Sequence, residues 1–233
     1  HHATEASRRT FGAMCGLGAN VVHAASDSAV PAVLAATYAR LAASGRRPYL
    51  IAPGGSQPAG VLGAVDAGLE LCEQVRAGEL EEPDVVVCAF GSGGTAAGLA
   101  AGLQLGGLRT QVAAVRVYPF PGAAIGVLAR RVLARLGHRG GLDPGRVRVL
   151  TGYMGAGYAQ PTQAATSAVE AAAGLGLTLE STYTGKAFAA FLEAAGRAPD
   201  SKLVFWHTYD ARIPEGLPAP DPDRAPPALR QFL

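Results

Sequence analysis

The stretch from Asp84 to Leu105 constrains the fold more than any other part of the chain. It reads Asp-Val-Val-Val-Cys-Ala-Phe-Gly-Ser-Gly-Gly-Thr-Ala-Ala-Gly-Leu-Ala-Ala-Gly-Leu-Gln-Leu. The apolar run 85–90 has no polar alternation, which is the pattern of a strand buried on both faces. It passes through Gly91, Ser92, Gly93, Gly94 and Thr95 straight into an Ala/Leu helix. Small residues let the backbone approach a ligand closely. The first N–H groups of the helix have no intrahelical acceptor, and the helix dipole there favours negative charge. A strand, a glycine-rich loop and a helix in that order predict a phosphate cradle.

The rest of the chain alternates in the same way. Helical spacing predicts helices over 5–17, 29–43, 61–77, 125–136, 163–173 and 186–195, together with the cradle helix. Strand-like runs fall at 20–24, 48–52, 111–117, 147–150 and 203–207. This alternation predicts an α/β fold with a mainly parallel sheet and flanking helices, with ligands bound at the carboxyl ends of the strands. The expected organisation is two lobes. Residues 1–52 form what is present of a smaller, substrate-side lobe, and residues 53–212 form the lobe with the cradle. Residues 213–233 form a tail, extended where six prolines fall within 213–227.

Composition narrows the function classes. With 49% hydrophobic and 16% charged residues the chain has ample core and is not disordered. A net charge of +2, with basic residues scattered, argues against nucleic acid or an anionic membrane surface as partner. No apolar run approaches the ~20 residues of a membrane span. Cys15, Cys72 and Cys88 lie far apart in apolar segments and read as reduced thiols of a cytoplasmic protein. The dispersed histidines and the lack of CxxC or HExxH patterns predict no metal site. Lysine is confined to Lys186 and Lys202, so any lysine chemistry within these residues has two candidates.

Three loop chemistries compete for the cradle. Gly91-x-Gly93-x-x-Ala96 meets the relaxed dinucleotide pattern, but the following strand ends Val115-Arg116-Val117-Tyr118, without the acid that holds an adenosine ribose. An arginine suits a 2′-phosphate, so an NADP-dependent oxidoreductase stays open as an alternative. The serine-nucleophile pattern G-x-S-x-G fails at Ser92, preceded by Phe90, and at Ser56, followed by Pro58. A Walker A loop fails for want of Gly-Lys-Ser/Thr. Two further segments stand out. In 181–188, Thr184 is placed to cap a helix; the bland reading of Lys186 is a solvated residue in a first turn, but the dipole disfavours a cation there, which marks the position as unusual. In 153–162, a flexible loop carries two phenols and ends at a capping Thr162.

Taken together, five segments resemble one family. They are Gly54-Gly55-Ser56 before a helix, Phe90-Gly-Ser-Gly-Gly-Thr95, Gly157-Tyr158-Ala-Gln-Pro161, Tyr183-Thr184-Gly185-Lys186-Ala187 and Phe205-Trp-His-Thr208. In order and spacing they look like the D-cysteine desulfhydrase and aminocyclopropane-carboxylate deaminase group. These are pyridoxal 5′-phosphate (PLP) enzymes of the tryptophan-synthase-β type, fold type II. The resemblance covers about residues 48–210. It implies PLP as cofactor, its phosphate on the backbone of Gly91, Ser92, Gly93, Gly94 and Thr95, and Thr184 facing the pyridine nitrogen. It also implies Tyr158 and Tyr183 as catalytic phenols over a small amino-acid substrate, with Ser56 lining the same cleft. The implied reaction is lyase or deaminase chemistry, releasing ammonia by elimination or ring opening.

The same resemblance exposes departures. The family's Schiff-base lysine and its Ser-Asn-His-type substrate loop lie upstream of everything matched here, and neither Lys186 nor Lys202 occupies that position. Roughly the first hundred residues of a family member, about one small domain, have no counterpart. The expectation is therefore a fragment or a catalytically incomplete enzyme with an incomplete smaller lobe. A non-catalytic remnant, or a subunit completed by a partner chain that supplies the lysine lobe, is the alternative. Either a homo-oligomer or association with such a chain would follow. After the last strand, Thr208-Tyr209-Asp210 stands where the family has Thr-Gly-Gly, which would bring a bulky side chain near the cofactor ring.

Overall fold

The computed structural model describes residues 5–210 and 216–233. The chain divides into two compact units, residues 51–209 and residues 1–50 with 210–233. The second of these is sparse. It holds α1 (Glu5–Gly16), α2 (Val30–Ala43) and short 3-10 turns at Pro222–Arg224 and Pro227–Phe232. Gly12 and Cys15 are its buried points on α1, and the Arg8 guanidinium lies 5.2 Å from the centre of the Phe232 ring. No residue of α2 is buried.

Two expectations fail in this part of the chain. Neither 20–24 nor 48–52 forms a strand. An extended run becomes a strand only where a neighbour accepts its backbone hydrogen bonds, and no strand pairs with either run among the described residues. Tyr49, Leu50 and Ile51 stay exposed. The tail also departs from expectation. Residues 213–215 lie outside the described residues, and beyond them the chain coils into its two 3-10 turns rather than running extended. The first turn is capped by Asp221, whose carboxylate accepts from Asp223 N at 3.0 Å.

Residues 51–209 hold the sheet. Its elements are α3 (Leu62–Arg76), β1 (Val85–Phe90), α4 (Gly94–Leu105), β2 (Gln111–Arg116), α5 (Ala123–Arg135), β3 (Val147–Leu150), α6 (Gln163–Ala173), α7 (Thr184–Arg197) and β4 (Leu203–Phe205). The four strands are all parallel in the order β3-β2-β1-β4, with Val85 opposite Gln111 on one side and opposite Leu203 on the other. This is the α/β architecture read from the sequence, with boundaries shifted by one or two residues. β4 stops two residues early, yet Trp206 N still donates to Val87 O at 2.8 Å.

Alternation along β1 divides the core between two layers. Val86, Cys88 and Phe90 pack with α3, α4 and α5, while Val87 packs on the opposite face with Ala187 and Ala190 of α7. α3 and α4 approach closely because their contact is lined by glycine. A Cβ on Gly98 would stand 2.9 Å from the Val61 carbonyl oxygen. The chain steps from β1 to β2 to β3 in one direction and returns with β4 on the far side of β1. Such a reversal opens a crevice at the carboxyl ends of the central strands, where the loop after β1 lies.

Candidate cofactor site at the carboxyl edge of the sheet

The loop between β1 and α4 is shaped by glycine. Gly93 is the N-cap of α4 in the left-handed region (φ 91°), a conformation most side chains resist. A Cβ on Gly93 would stand 3.0 Å from Ile125 Cγ1, and one on Gly94 would stand 2.9 Å from Ser56 Oγ. No side chain caps α4. Gly93 and Gly94 are buried, and Gly91, Ser92 and Thr95 half-buried. A buried helix start without a capping side chain is a site for anionic oxygens, and a phosphate group fits its donor set.

A second turn braces the cradle. Ser56 Oγ donates to Ser92 Oγ at 2.7 Å, joining the 53–57 turn to the loop after β1. Gln57 closes that turn by accepting from Ala52 N at 2.9 Å. Ser56, Ser92 and Gly94 are thus brought together.

The phenols stand beside the cradle. A Cβ on Gly91 would stand 2.9 Å from Cε1 of Tyr183, so glycine at 91 makes room for that ring. The Tyr183 and Tyr158 hydroxyls lie 2.7 Å apart, and the two rings meet edge to face. Tyr118, just past β2, packs edge-on against Tyr158 with ring centres 5.1 Å apart. Sequence reasoning missed Tyr118, although its place after a parallel strand at the carboxyl edge was a usable signal. Burial, and next the bond to Tyr158, push the Tyr183 phenol well above its ordinary value. Tyr183 therefore keeps its proton across the physiological range.

Glu180 organises the start of α7. Its carboxylate accepts from Thr182 N (2.5 Å), Tyr183 N (2.7 Å) and Thr184 N (2.8 Å). This corrects the reading of Thr184 as the cap. Thr184 is instead the first helical residue, only 3% exposed, and its Oγ1 accepts from Glu180 N at 2.9 Å. Its hydroxyl proton has longer options, Glu180 O and Glu180 Oε1, both at 3.3 Å. Those lie beyond the usual range for a hydroxyl donor, so the proton is loosely committed.

The lysines are placed unexpectedly. Lys186 is not solvated but 1% exposed, donating to Met154 O at 2.7 Å and Gly157 O at 3.3 Å. Burial pushes its ammonium below the usual range, against an upward pull from the Glu180 carboxylate. Lys202 precedes β4 at the amino end of the sheet, opposite the cradle, and pairs with Glu81 at 2.9 Å. Arg116, the residue that kept the 2′-phosphate reading open, lies over the Phe90 ring at 5.9 Å from its centre.

Residues 4–208 match the family described as "Pyridoxal-phosphate dependent enzyme". The chain belongs to that family. It is 32% identical over 166 residues to a Thermotoga maritima protein provisionally named 1-aminocyclopropane-1-carboxylate deaminase, covering 70% of this chain and 52% of that one. It is 32% identical over 183 residues to D-cysteine desulfhydrase of Salmonella schwarzengrund, covering 74% and 53%. A solved structure of an ACC deaminase homologue superposes with a TM-score of 0.66 at 26% identity, over 79% of this chain and 56% of that one. The chain thus spans about half the length of the curated relatives it matches. Membership of this PLP enzyme family bears out the resemblance read from the five segments, and nothing in the comparisons supports the oxidoreductase alternative. Among the described residues no helix is long and apolar enough to cross a membrane, and no metal-binding cluster occurs.

Proposed function

We propose that residues 51–209 bind pyridoxal phosphate and act in elimination or deamination of a small amino acid of the D-cysteine or aminocyclopropane-carboxylate kind. The observation that carries this reading is the uncapped, buried start of α4, reached through a loop whose first residue, Gly91, lies against the Tyr183 ring. The backbone of Gly91, Ser92, Gly93, Gly94 and Thr95 would take the phosphate oxygens, and the Ser56–Ser92 pair keeps that loop in place. Thr184, with its loosely held hydroxyl proton, is assigned to the ring nitrogen. A neutral hydroxyl there leaves the ring less electron-withdrawing than a carboxylate would. The cofactor itself supplies an electron sink next to the substrate amino group.

The protein's share of the chemistry falls to the phenols. Tyr183, held protonated, donates or orients and does not serve as a base at neutral pH. Tyr158, 36% exposed, is the member of the pair open to an incoming amino acid. The pair shares a short hydrogen bond, so a proton given up by one hydroxyl is replaced from the other. Ser56 completes the substrate side. Covalent capture of the cofactor needs a lysine from outside these 233 residues, since Lys186 and Lys202 are committed elsewhere. The same reading has the protein in the cytoplasm, in keeping with three buried free thiols, and as a homo-oligomer.

Equilibrium binding of PLP to the full chain tests this directly, followed through quenching of the sole tryptophan, Trp206. Binding should saturate, inorganic phosphate should compete, and Gly93→Val should abolish it. Binding that ignores both phosphate and Gly93→Val sinks the assignment of the cradle. Ammonia release from D-cysteine and from aminocyclopropane carboxylate then separates the substrates.

A further inference from the structure

A lysine is among the residues least often buried, yet Lys186 is one of the largest fully buried side chains of the molecule. Its nitrogen reaches two backbone carbonyls of the 152–161 loop, those of Met154 and Gly157. That loop has little order of its own. Gln160 N donates to Gly157 O at 3.3 Å, while Gly152, Gly155 and Ala159 all sit at positive φ. Ala159 (φ 58°) directly follows Tyr158 and is in a conformation that non-glycine residues seldom hold without external support. The loop is fixed at its start by Tyr153 OH donating to Glu193 Oε2 at 2.7 Å, and at its end by Thr162 capping α6. Its middle, which carries Tyr158, is fixed by Lys186.

The geometry of α7 makes this an arrangement with two functions. Tyr183 is the N-cap of α7 and Lys186 lies three residues on, so one helix end carries both groups. Tyr183 meets the Tyr158 hydroxyl from one side while Lys186 holds the backbone on which Tyr158 sits. We infer that Lys186 is a positioning residue, a tethered cation that takes two loop carbonyls and thereby sets Tyr158 against Tyr183. The catalytic meaning of this rests on assigning the two phenols to the substrate side of the cofactor. The positioning itself does not depend on the cofactor and is measurable without it.

The test uses the full chain with Lys186→Met, which keeps the packing volume and removes the donors, and Lys186→Ala, which also leaves a cavity. Amide hydrogen exchange is followed across 152–161 and across α7, with tyrosine ionisation followed by ultraviolet absorbance. Loss of two charge-assisted hydrogen bonds should speed exchange in the loop by about tenfold or more in both variants. Exchange in α7 should stay near the wild-type rate, and the late-ionising tyrosine should titrate earlier. Added methylammonium should restore loop protection in Lys186→Ala, and tetramethylammonium at equal ionic strength should not. The inference is overturned if Lys186→Met keeps wild-type loop exchange, or if protection is lost equally along α7, the mark of mere packing. It is also overturned if the two ammonium ions act alike. Should PLP fail to bind while loop exchange behaves as expected, the functional reading falls and the positioning role stands.

Discussion

The two walls of the candidate site are built by different physics. On the cradle wall the backbone is the working group, and its shape follows from which residues lack a Cβ: Gly91 admits the Tyr183 ring, Gly93 turns left-handed, and Gly94 admits Ser56. On the phenol wall the working groups are side chains, held by contacts far apart in sequence. Tyr158 depends on Tyr183, Tyr118 and, through its loop, Lys186, while Tyr183 depends on the carboxylate of Glu180. A wall made by absent side chains is broken by adding atoms. One made by a network is broken by removing them, and it fails more gently.

The largest effect should come from adding atoms to the cradle. Gly93→Val places a branched side chain at positive φ and drives its Cβ toward Ile125 and Phe90. The backbone penalty and the overpacking together should cost about 3 kcal/mol. That corresponds to a fall in melting temperature of about 10 °C in a calorimetric scan. A Gly93→Val protein that melts like the wild type would remove the contrast between the walls.

Next in size is Glu180→Ala on the phenol wall. Three N–H groups at the start of α7 lose their acceptor, and the loss should be about 1–2 kcal/mol, read as a lower urea midpoint. Water can replace part of a cap at a half-exposed position, which is why this change should cost less than the cradle clash. Glu180→Gln, keeping one acceptor oxygen, should fall between.

The contrast also explains what was legible in the sequence. The cradle pattern is local: strand, loop and helix are consecutive, so β1-loop-α4 could be read without knowing that its glycines make room for the distant Tyr183, Ile125 and Ser56. The sheet was legible for the same reason, since each strand carries its own apolar run. Lys186 was not. Composition rules send lysine to solvent, and nothing near it in sequence shows that the carbonyls of Met154 and Gly157, about thirty residues away, will meet its nitrogen. Glu180 was passed over because a capping carboxylate four residues before the helix leaves no fixed pattern like that of Ser or Thr at the N-cap. Residues 20–24 and 48–52 show the opposite error, strand patterns with no strand to pair with among the described residues. Local pattern proposes an extended run, and only a neighbour makes it a strand.

Smaller still in stability, and sharper in chemistry, is Tyr158→Phe. The hydroxyl pair is partly solvated, so its loss should cost no more than about 1 kcal/mol. The Tyr183 phenol should stay above its ordinary value, because burial is the leading cause, yet ionise earlier than in the wild type. The sign of the pH effect follows. With the folded phenol raised, its stabilising contribution is complete below the ordinary phenol value and is lost as pH climbs from there toward the folded value, where the unfolded chain alone has released its proton. Wild-type stability should therefore decline more steeply above about pH 10 than that of Tyr183→Phe, in denaturation midpoints measured across that range.

The smallest effect is the most discriminating. Ala159→Gly relieves a left-handed alanine, a gain of about 1 kcal/mol, but gives the unfolded chain freedom worth a similar amount against it. Global stability should thus move by less than about 0.5 kcal/mol. The loop should not be neutral, since glycine at 159 opens backbone conformations that alanine forbids beside Tyr158. If Lys186 alone fixes the loop, exchange across 152–161 in Ala159→Gly should match the wild type while its two carbonyl bonds hold. If the phenol wall is a network in which each restraint supports the others, exchange should rise in Ala159→Gly. It should then rise more than additively when combined with Lys186→Met, a coupling that a double-mutant cycle reads directly.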